Sequence, residues 1–250
     1  MALLEEFEKR GNWLFRYRGI LPLVILVAGM VFYLWTVLKP ELFFLNGTAI
    51  EAYYIYICLF VSLLGFAFRV YTMGHTPKNT SGGNVKKQVA GKLNTSGSYS
   101  MVRHPLYVGN FFMWLGPTLL TGHIWFILVM CLFYWIYYER IMFAEEQFLR
   151  KKFGDPYVEW AEHVPAFVPR FGRFERPDLP FSWKKVLKKE KNAFAALFLI
   201  FFLFDVAGQI VLNERNFNYF IAGGVLFSAL SYIVIKLLKN QTGLLDDPGR

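Results

Sequence analysis

Charged residues and cysteines are scarce in this chain. Of its 250 residues only 18% are charged, whereas 55% are apolar and 19% are aromatic. An average soluble domain has about 25% charged residues. The high hydrophobicity excludes a disordered chain, and two cysteines, both in apolar runs, exclude a disulfide-framed secreted domain. The four histidines form no HExxH pattern and have no cysteine partner, so we expect no metal site.

The chain contains five long apolar runs. Four of them are long enough, at about 20 residues, to cross a bilayer as helices. A fifth run is too long for one span and breaks at Thr121-Gly122-His123, which predicts a helical hairpin. The sequence therefore predicts an all-α integral membrane protein with about six transmembrane helices, at roughly 19–38, 50–71, 105–120, 124–144, 192–212 and 217–238.

The distribution of basic residues predicts the orientation. A net charge of +9 can indicate a nucleic-acid partner, but here the lysines and arginines lie in blocks between apolar runs. With six spans, 25 of the 27 fall on one side, and only Lys39 and Arg215 fall on the other. The positive-inside rule then places both termini and the large loops 72–104 and 145–191 in the cytoplasm. We expect a multi-pass protein of the bacterial inner membrane that binds no nucleic acid.

The chain divides into three predicted parts. Residues 1–91 hold N-terminal spans and a basic loop, residues 92–175 hold most of the motifs, and residues 176–250 hold a basic segment and two further spans. The tract Lys184–Lys191 is typical of a juxtamembrane patch that attracts anionic lipid. Asp205, one turn from Gln209 inside the fifth span, is an intramembrane acid. It indicates either hydrogen bonding between helices or an ion- or lipid-transport function.

The first large loop could hold an anion. Its Gly-, Ser- and Thr-rich stretch contains Lys78, Lys86 and Lys87, and backbone amides with lysines suit a negative group. The alternative is a flexible connector whose lysines follow the positive-inside rule. At the end of the loop, Pro105 is well placed in the first turn of a helix. Arg103 and His104 would then lie at its positive end, either as part of an anion site or as interface anchors.

The second large loop begins with acids and continues with aromatics. Glu145 and Glu146 follow the fourth span, and adjacent helical positions point about 100° apart. We therefore expect one to face the bundle and the other to face water. A helix farther along would place Tyr157 and Trp160 on one face, where aromatic rings can receive a flat ring or a sulfonium cation, or lie in the interfacial belt.

Several motifs occur together in a fixed order. They are Gly97-x-Tyr99-x-x-x-Arg103-His104-Pro105-x-Tyr107-x-Gly109, then Glu145-Glu146-x-x-Leu149, Phe153-Gly154-x-x-Tyr157 and Val164-Pro165. This pattern, over about residues 92–169, resembles the isoprenylcysteine carboxyl methyltransferase family, whose superfamily includes phospholipid methyltransferases. The chain departs from the family pattern at Gly91, where a histidine is frequent, in its Gly- and Lys-rich stretch 76–92, and in its last two spans.

The resemblance implies an integral membrane methyltransferase that uses cytosolic S-adenosylmethionine and receives a lipid substrate from the bilayer. Carried over by motif, Arg103 and Glu146 are candidate catalytic residues. The implied cofactor-binding residues are Tyr99, His104, Pro105, Tyr107, Gly109, Glu145 and Tyr157. For the substrate, the basic residues in or beside the first large loop are the candidates, namely Arg69, Lys78, Lys86, Lys87 and Lys92.

The local charge favours an anionic acceptor. A carboxylate or phosphate oxygen is already ionised at neutral pH, whereas an amine acceptor must lose a proton to a base such as a glutamate. We expect Arg103 and the loop lysines to orient an anionic lipid head group, and Glu145 or Glu146 to bind ribose hydroxyls or the amino group of the cofactor. So basic a loop favours a lipid phosphate, as in bacterial relatives that act on lipid A. A prenylated C-terminal cysteine is the alternative, followed by a phospholipid amine.

Overall fold

The computed structural model describes residues 2–77 and 88–247 and is helical throughout. Within those residues there are nine helices and no strand, because the apolar runs leave backbone groups to be satisfied within each segment. The helices are α1 Leu3–Tyr17, α2 Leu21–Leu38, α3 Tyr54–His75, α4 Ser98–Met101, α5 Pro105–Leu120, α6 Ile124–Phe153, α7 Asp155–His163, α8 Trp183–Leu212 and α9 Tyr219–Gln241.

Among the described residues, four helices are long and apolar enough to cross a membrane: α3 with its preceding turn, α6, α8 and α9. The pair α1–α2, bent by 71°, makes a fifth candidate if it counts as one span. The all-helical membrane prediction is therefore confirmed. The count of six spans stays a prediction, because α5 has only 16 residues. The cytoplasmic position of both termini depends on that count and also stays a prediction.

The predicted hairpin is present as α5 and α6, which join at Thr121–His123. Gly122 has φ +65°, a conformation that L side chains rarely adopt, and a Cβ there would meet the Phe43 ring at 2.4 Å. His123 then caps α6, because its side chain accepts a hydrogen bond from Phe126 N. The fourth span was predicted to end at about residue 144, and the helix that contains it is longer: α6 continues to Phe153 and stops at Gly154, whose φ is +61°.

Helices α3 and α5 pack at very short range. A Cβ on Gly65 would lie 2.5 Å from Gly109 O, and a Cβ on Gly116 would lie 2.0 Å from Ser62 Oγ. The Ser62 hydroxyl donates to Met113 O at 2.9 Å. Small residues let the two backbones approach, as is usual between helices in membranes. The first turn of α5, where the motif residues lie, is thereby fixed against α3.

Helix α1 is amphipathic and lies against α6. It buries Gly11 and Phe15, and it exposes Leu3, Leu4 and Trp13. A Cβ on Gly11 would meet Arg140 O at 2.2 Å, so no larger residue fits between α1 and α6. Because exposed apolar side chains on such a helix favour a membrane–water interface, α1 is suited to lie along the membrane surface.

Helices α8 and α9 form an antiparallel pair joined near Asp205. The carboxylate of Asp205 accepts a hydrogen bond from Asn218 N at 2.9 Å, and Asn218 caps α9 through Ile221 N. Gln209 accepts from Asn216 N at 3.1 Å. Asp205 thus holds the connection between the two helices, which is the hydrogen-bonding alternative that the sequence left open.

Candidate active site

Two backbone hydrogen bonds hold the start of α5. Arg103 N donates to Pro165 O at 2.9 Å, and His104 N donates to Ala166 O at 3.2 Å. Pro105 then begins the helix, fully buried, at the position where its missing N–H costs nothing. The segment that follows α7 therefore places the side chains of Arg103 and His104 beside α6.

His104 lies between the two adjacent glutamates of α6. Its Nε2 is 3.0 Å from Glu146 Oε1, and its Nδ1 is 3.6 Å from Glu145 Oε2. Both carboxylates have similar side-chain exposure, 22% and 23%. The prediction that one faces the bundle and the other faces water is therefore wrong. The two nitrogens of one imidazole lie far enough apart to reach both carboxylates despite their 100° separation.

Arg103 and Tyr107 complete this cluster. Arg103 Nε lies 2.9 Å from Glu146 Oε1, and its Nη1 donates to Ala161 O on α7 at 2.7 Å. Tyr107 donates to Glu145 Oε1 at 2.7 Å, and its ring stacks on the His104 ring at 5.7 Å. Each glutamate thus has its own hydrogen-bonding or ionic partner besides the shared histidine. We call Arg103, His104, Tyr107, Glu145 and Glu146 the RHY-EE cluster.

The cluster changes the protonation of His104. Burial by itself would lower the pKa of His104, but the hydrogen bonds and charges of Glu145 and Glu146 outweigh it, and the pKa is raised. The imidazole is therefore held in its charged form to a higher pH than an ordinary histidine. With His104 charged, two cations balance two carboxylates in the cluster.

Helix α7 covers the cluster with two aromatic side chains. Tyr157 and Trp160 lie with ring centroids 5.8 Å apart, as the sequence predicted for one helix face. The Trp160 Nε1–H is buried and has no hydrogen-bond partner among the residues described. The Tyr157 hydroxyl is buried beside the Glu146 carboxylate, although no hydrogen bond of good geometry joins the two. Burial, followed by the charge of Glu146, raises the pKa of Tyr157, so its hydroxyl stays protonated.

These groups fit S-adenosylmethionine. Buried donors without partners are costly unless a ligand satisfies them, and a nucleoside offers the ring nitrogens and hydroxyl oxygens that can do so. The carboxylates of Glu145 and Glu146 could accept from ribose hydroxyls or an amino group, and the two aromatic rings suit a purine or a sulfonium.

A small polar cleft lies on the α3 side of the cluster, open to solvent. Its walls include Thr72 and His75 from α3, Lys92 from the following loop, and Ser98 and Tyr99 from α4. Burial and the nearby charge of Glu145 raise the pKa of Tyr99, which therefore lies close to both the cleft and the RHY-EE cluster. Lys92, a predicted substrate residue, and Tyr99, a predicted cofactor residue, thus line the same cleft.

Two other predicted site residues are placed differently. The guanidinium of Arg69 lies inside the bundle in an ion pair with Glu190, so its charge is already balanced. Gly109 faces α3, where a Cβ would meet Arg69 Cγ at 2.5 Å, so close helix packing explains this glycine without a cofactor contact. Lys78, Lys86 and Lys87 lie outside the described residues.

Sequence reasoning missed two buried charges on α8. Glu190 is 2% exposed and Lys185 is 5% exposed. Lys185 Nζ donates to Thr76 Oγ1 at 2.7 Å and to Pro77 O at 3.1 Å. The tract 184–191, predicted to be a juxtamembrane patch that attracts anionic lipid, therefore also contains residues that tie α8 to α3. The signal that could have found Glu190 is that it is the single acid among five lysines.

Comparison with known proteins identifies the central segment. The family described as phospholipid methyltransferase matches residues 53–156. The protein-S-isoprenylcysteine O-methyltransferase of Schizosaccharomyces pombe is 40% identical over 78 residues, 31% of this chain and 33% of that protein. Methanethiol S-methyltransferase of Crocosphaera subtropica is 34% identical over 83 residues, 33% of this chain and 31% of that protein.

A third relative has a different kind of name. The nickel-cobalt-cadmium resistance protein NccN of Alcaligenes xylosoxydans xylosoxydans is 35% identical over 83 residues, 33% of this chain and 38% of that protein. The chain thus spans about a third of the length of these relatives, and no solved structure matches it. The resemblance predicted from the motifs is confirmed, and the matches support a membrane methyltransferase.

Proposed function

We propose that this chain is an S-adenosylmethionine-dependent membrane methyltransferase, because its residues 53–156 match the phospholipid methyltransferase family. The observation that carries the proposal is the RHY-EE cluster beneath the two buried donors of α7. Every residue of this arrangement lies in the predicted motif part 92–175, which we propose as the catalytic part. We further propose that it faces the cytoplasm.

The residues of the cluster have separable roles in this proposal. Bound cofactor supplies an electrophilic methyl group on a sulfonium. Glu145 and Glu146 hold the polar end of that molecule, and Tyr157 and Trp160 hold its aromatic end. Arg103 is a positioning residue, because its guanidinium is in an ion pair with Glu146 and its Nη1 donates to Ala161 O. This replaces the predicted role of Arg103 as a head-group clamp.

We propose an anionic oxygen as the methyl acceptor. Both glutamates are already paired with Arg103, His104 or Tyr107, so neither is free to remove a proton from an amine. An ionised carboxylate or phosphate needs no base, and alignment of donor with acceptor supplies the catalysis. A carboxylate is the first candidate, because the S. pombe relative is named for O-methylation of isoprenylcysteine.

An apolar groove supports a membrane-borne acceptor. It is shallow and open, and it is lined by Phe111, Trp114 and Met130, among others, between α5 and α6. Tyr134 closes one end, where its hydroxyl donates to Tyr107 O at 2.8 Å. A lipid tail in this groove would therefore bring its head group toward the RHY-EE cluster.

A lipid phosphate is the second candidate acceptor. The observation that favours it is Lys92, which lines the polar cleft beside Tyr99 and has a side chain 68% exposed. Its partner Asp178 is 3.6 Å away and 60% exposed, so the contact is weak enough for a phosphate to replace. Lipid A phosphate, the acceptor predicted from the sequence, has no support from the relatives.

The test uses purified protein, methyl-labelled S-adenosylmethionine, a total lipid extract and a prenylcysteine peptide. We expect cofactor binding by titration and label on a carboxylate or phosphate ester. The variant Glu145→Gln should lose cofactor affinity, whereas Arg150→Gln, an exposed change on the same helix, should not. Label on a lipid amine would contradict the acceptor class, and absence of cofactor binding would contradict the methyltransferase itself. If Asp205→Asn abolished the function of the protein while Arg103→Ala and Glu146→Gln left it intact, the transport alternative would be favoured.

A further inference from the structure

A buried ion pair joins α8 to α3, and its arginine also binds α5, the helix that begins beside His104 and carries Tyr107. Arg69 Nε donates to Glu190 Oε2 at 3.0 Å, and Arg69 Nη2 donates to Glu190 Oε1 at 2.7 Å. The side chains are 17% and 2% exposed. Arg69 Nη1 also donates to Asn110 Oδ1 on α5. One guanidinium therefore connects α3, α5 and α8, and all three of its nitrogens are used.

The position of this contact on α5 matters for the cluster. Asn110 lies one turn after Tyr107 and two turns after His104 on the same helix. Arg69 also fills the space beside Gly109, where α3 and α5 approach most closely. A change at Arg69 therefore acts on the first two turns of α5, which place His104 and Tyr107 against the glutamates of α6.

Glu190 lies beyond the segment that matches the family. The family match ends at residue 156, and α8 begins at Trp183. A buried acid beside a buried arginine is strongly unfavourable to separate, whereas an apolar pair of similar volume is tolerated. The pair is thus a costly way merely to pack helices, and its fork geometry fixes direction as well as distance.

We propose that Glu190 and Arg69 are positioning residues for methyl transfer, which hold α5 through Asn110 so that His104 and Tyr107 meet Glu145 and Glu146. The pair α8–α9 is then part of the catalytic body rather than an added anchor. The expected effect on methyl transfer rests on the proposed function, whereas the expected effect on the position of His104 does not.

The decisive variant replaces the ion pair by apolar residues, Arg69→Met with Glu190→Leu, so that no unpaired charge remains. A second variant, Arg69→Lys, keeps the charge but cannot donate in three directions at fixed angles. The matched control is Asp246→Asn, which breaks an exposed ion pair of α8 with Lys188. All are compared for thermal stability in detergent, cofactor Kd, and kcat and KM in the labelling assay.

We expect both variants to fold and to bind cofactor within about twofold of the unchanged chain, while kcat falls by about tenfold to a hundredfold, as small misplacements of reacting groups do. Independently of activity, the NMR titration of the His104 ring, assigned by its absence in His104→Gln, should move toward that of an ordinary histidine. The control variant Asp246→Asn should change neither kcat nor the titration of the His104 ring.

Wild-type kcat together with an unchanged His104 titration in both variants would overturn the proposal and leave the ion pair as packing alone. If the apolar variant does not fold, Arg69→Lys decides between the same two results. A chain that never transfers methyl would contradict the proposed function, and the His104 titration would still decide whether the ion pair positions the cluster.

Discussion

At the residue scale, His104 makes the cluster sensitive to pH. Because its folded pKa is raised by Glu145 and Glu146, the stability it contributes is fully present below the ordinary histidine pKa of about 6.5 and is lost as pH rises through the folded value. We expect the stability difference between the unchanged chain and His104→Gln to shrink on going from about pH 6 to about pH 9. Unfolding in detergent over this range measures it.

The control for this titration is His163→Gln. His163 is exposed, and its Nδ1 lies 2.7 Å from Glu159 O. A difference for His104→Gln that stayed constant over the same range would show that the glutamates do not hold the charged imidazole.

Trp160 offers a second test at the same scale. Its buried Nε1–H has no partner among the residues described, so Trp160→Phe removes an unsatisfied donor along with part of the ring. Without cofactor we expect stability to stay equal or rise, because an unmade hydrogen bond is costly. Cofactor affinity should fall about three- to tenfold if the donor serves a ligand. Calorimetry measures both quantities.

Trp183→Phe is the matched substitution, since Trp183 is 67% exposed at the start of α8. It should leave cofactor affinity unchanged. Equal affinity of Trp160→Phe and the unchanged chain would mean that the indole donor does not face the cofactor.

At the scale of elements, the α3–α5 contact determines where the cluster lies. Gly65→Ala would place a Cβ 2.5 Å from Gly109 O and 2.6 Å from Met113 N, both backbone atoms that cannot move separately. We expect a loss of roughly 1–3 kcal/mol in the free energy of unfolding, from overpacking.

The control for this variant lies on α9, where a Cβ at Gly223 meets nothing within 4 Å. Gly223→Ala should therefore raise stability by roughly 0.5–1 kcal/mol. A Gly65→Ala variant as stable as Gly223→Ala would contradict the close packing.

Element positions followed from the sequence where a local rule decides them. The break at Gly122, the start of α5 at Pro105 and the aromatic face of α7 were predicted correctly, because each depends on one turn or one helix period. The end of α6 was not, because the charges after residue 144 marked the edge of an apolar run rather than the end of a helix. With α6 ending at Phe153, Glu145 and Glu146 lie two turns inside it.

The ion-pair partners of Arg69 and His104 could not be predicted, because they lie far away in the sequence. Arg69 and Glu190 are 121 positions apart, and only the packing of α8 on α3 brings them together. Likewise, nothing local indicates that His104 reaches two glutamates about 40 residues later. Motif spacing identified the residues of the cluster, whereas tertiary packing determined which of their charges are already balanced.

At the scale of the whole molecule, the C-terminal end returns to the basic start of α8. Asp246 pairs with Lys188 at 2.9 Å, Asp247 accepts a hydrogen bond from the Ser182 hydroxyl, and Leu245 is buried. The hydrogen bond and charge of Lys188 lower the pKa of Asp246. The start of α8, the end of α3 and the segment after α9 therefore meet at one end of the bundle. This end also carries the polar cleft, through His75 and Leu179.

Orientation in the membrane is the prediction that joins the charge pattern to this shape. The described part of the chain places Asn46 in the exposed turn before α3 and Gly172 in the exposed turn after α7. With Cys131 replaced by alanine and Cys58 fully buried, a cysteine at either position is open to a maleimide that does not cross membranes. Because the lysine and arginine excess lies on the side of Gly172, Asn46→Cys should be labelled in intact cells and Gly172→Cys only after the membrane is permeabilised. The reverse pattern would show that the chain has the opposite orientation, with the RHY-EE cluster away from cytosolic cofactor. Labelling of both cysteines in intact cells would contradict the three spans that the sequence predicts between these two positions.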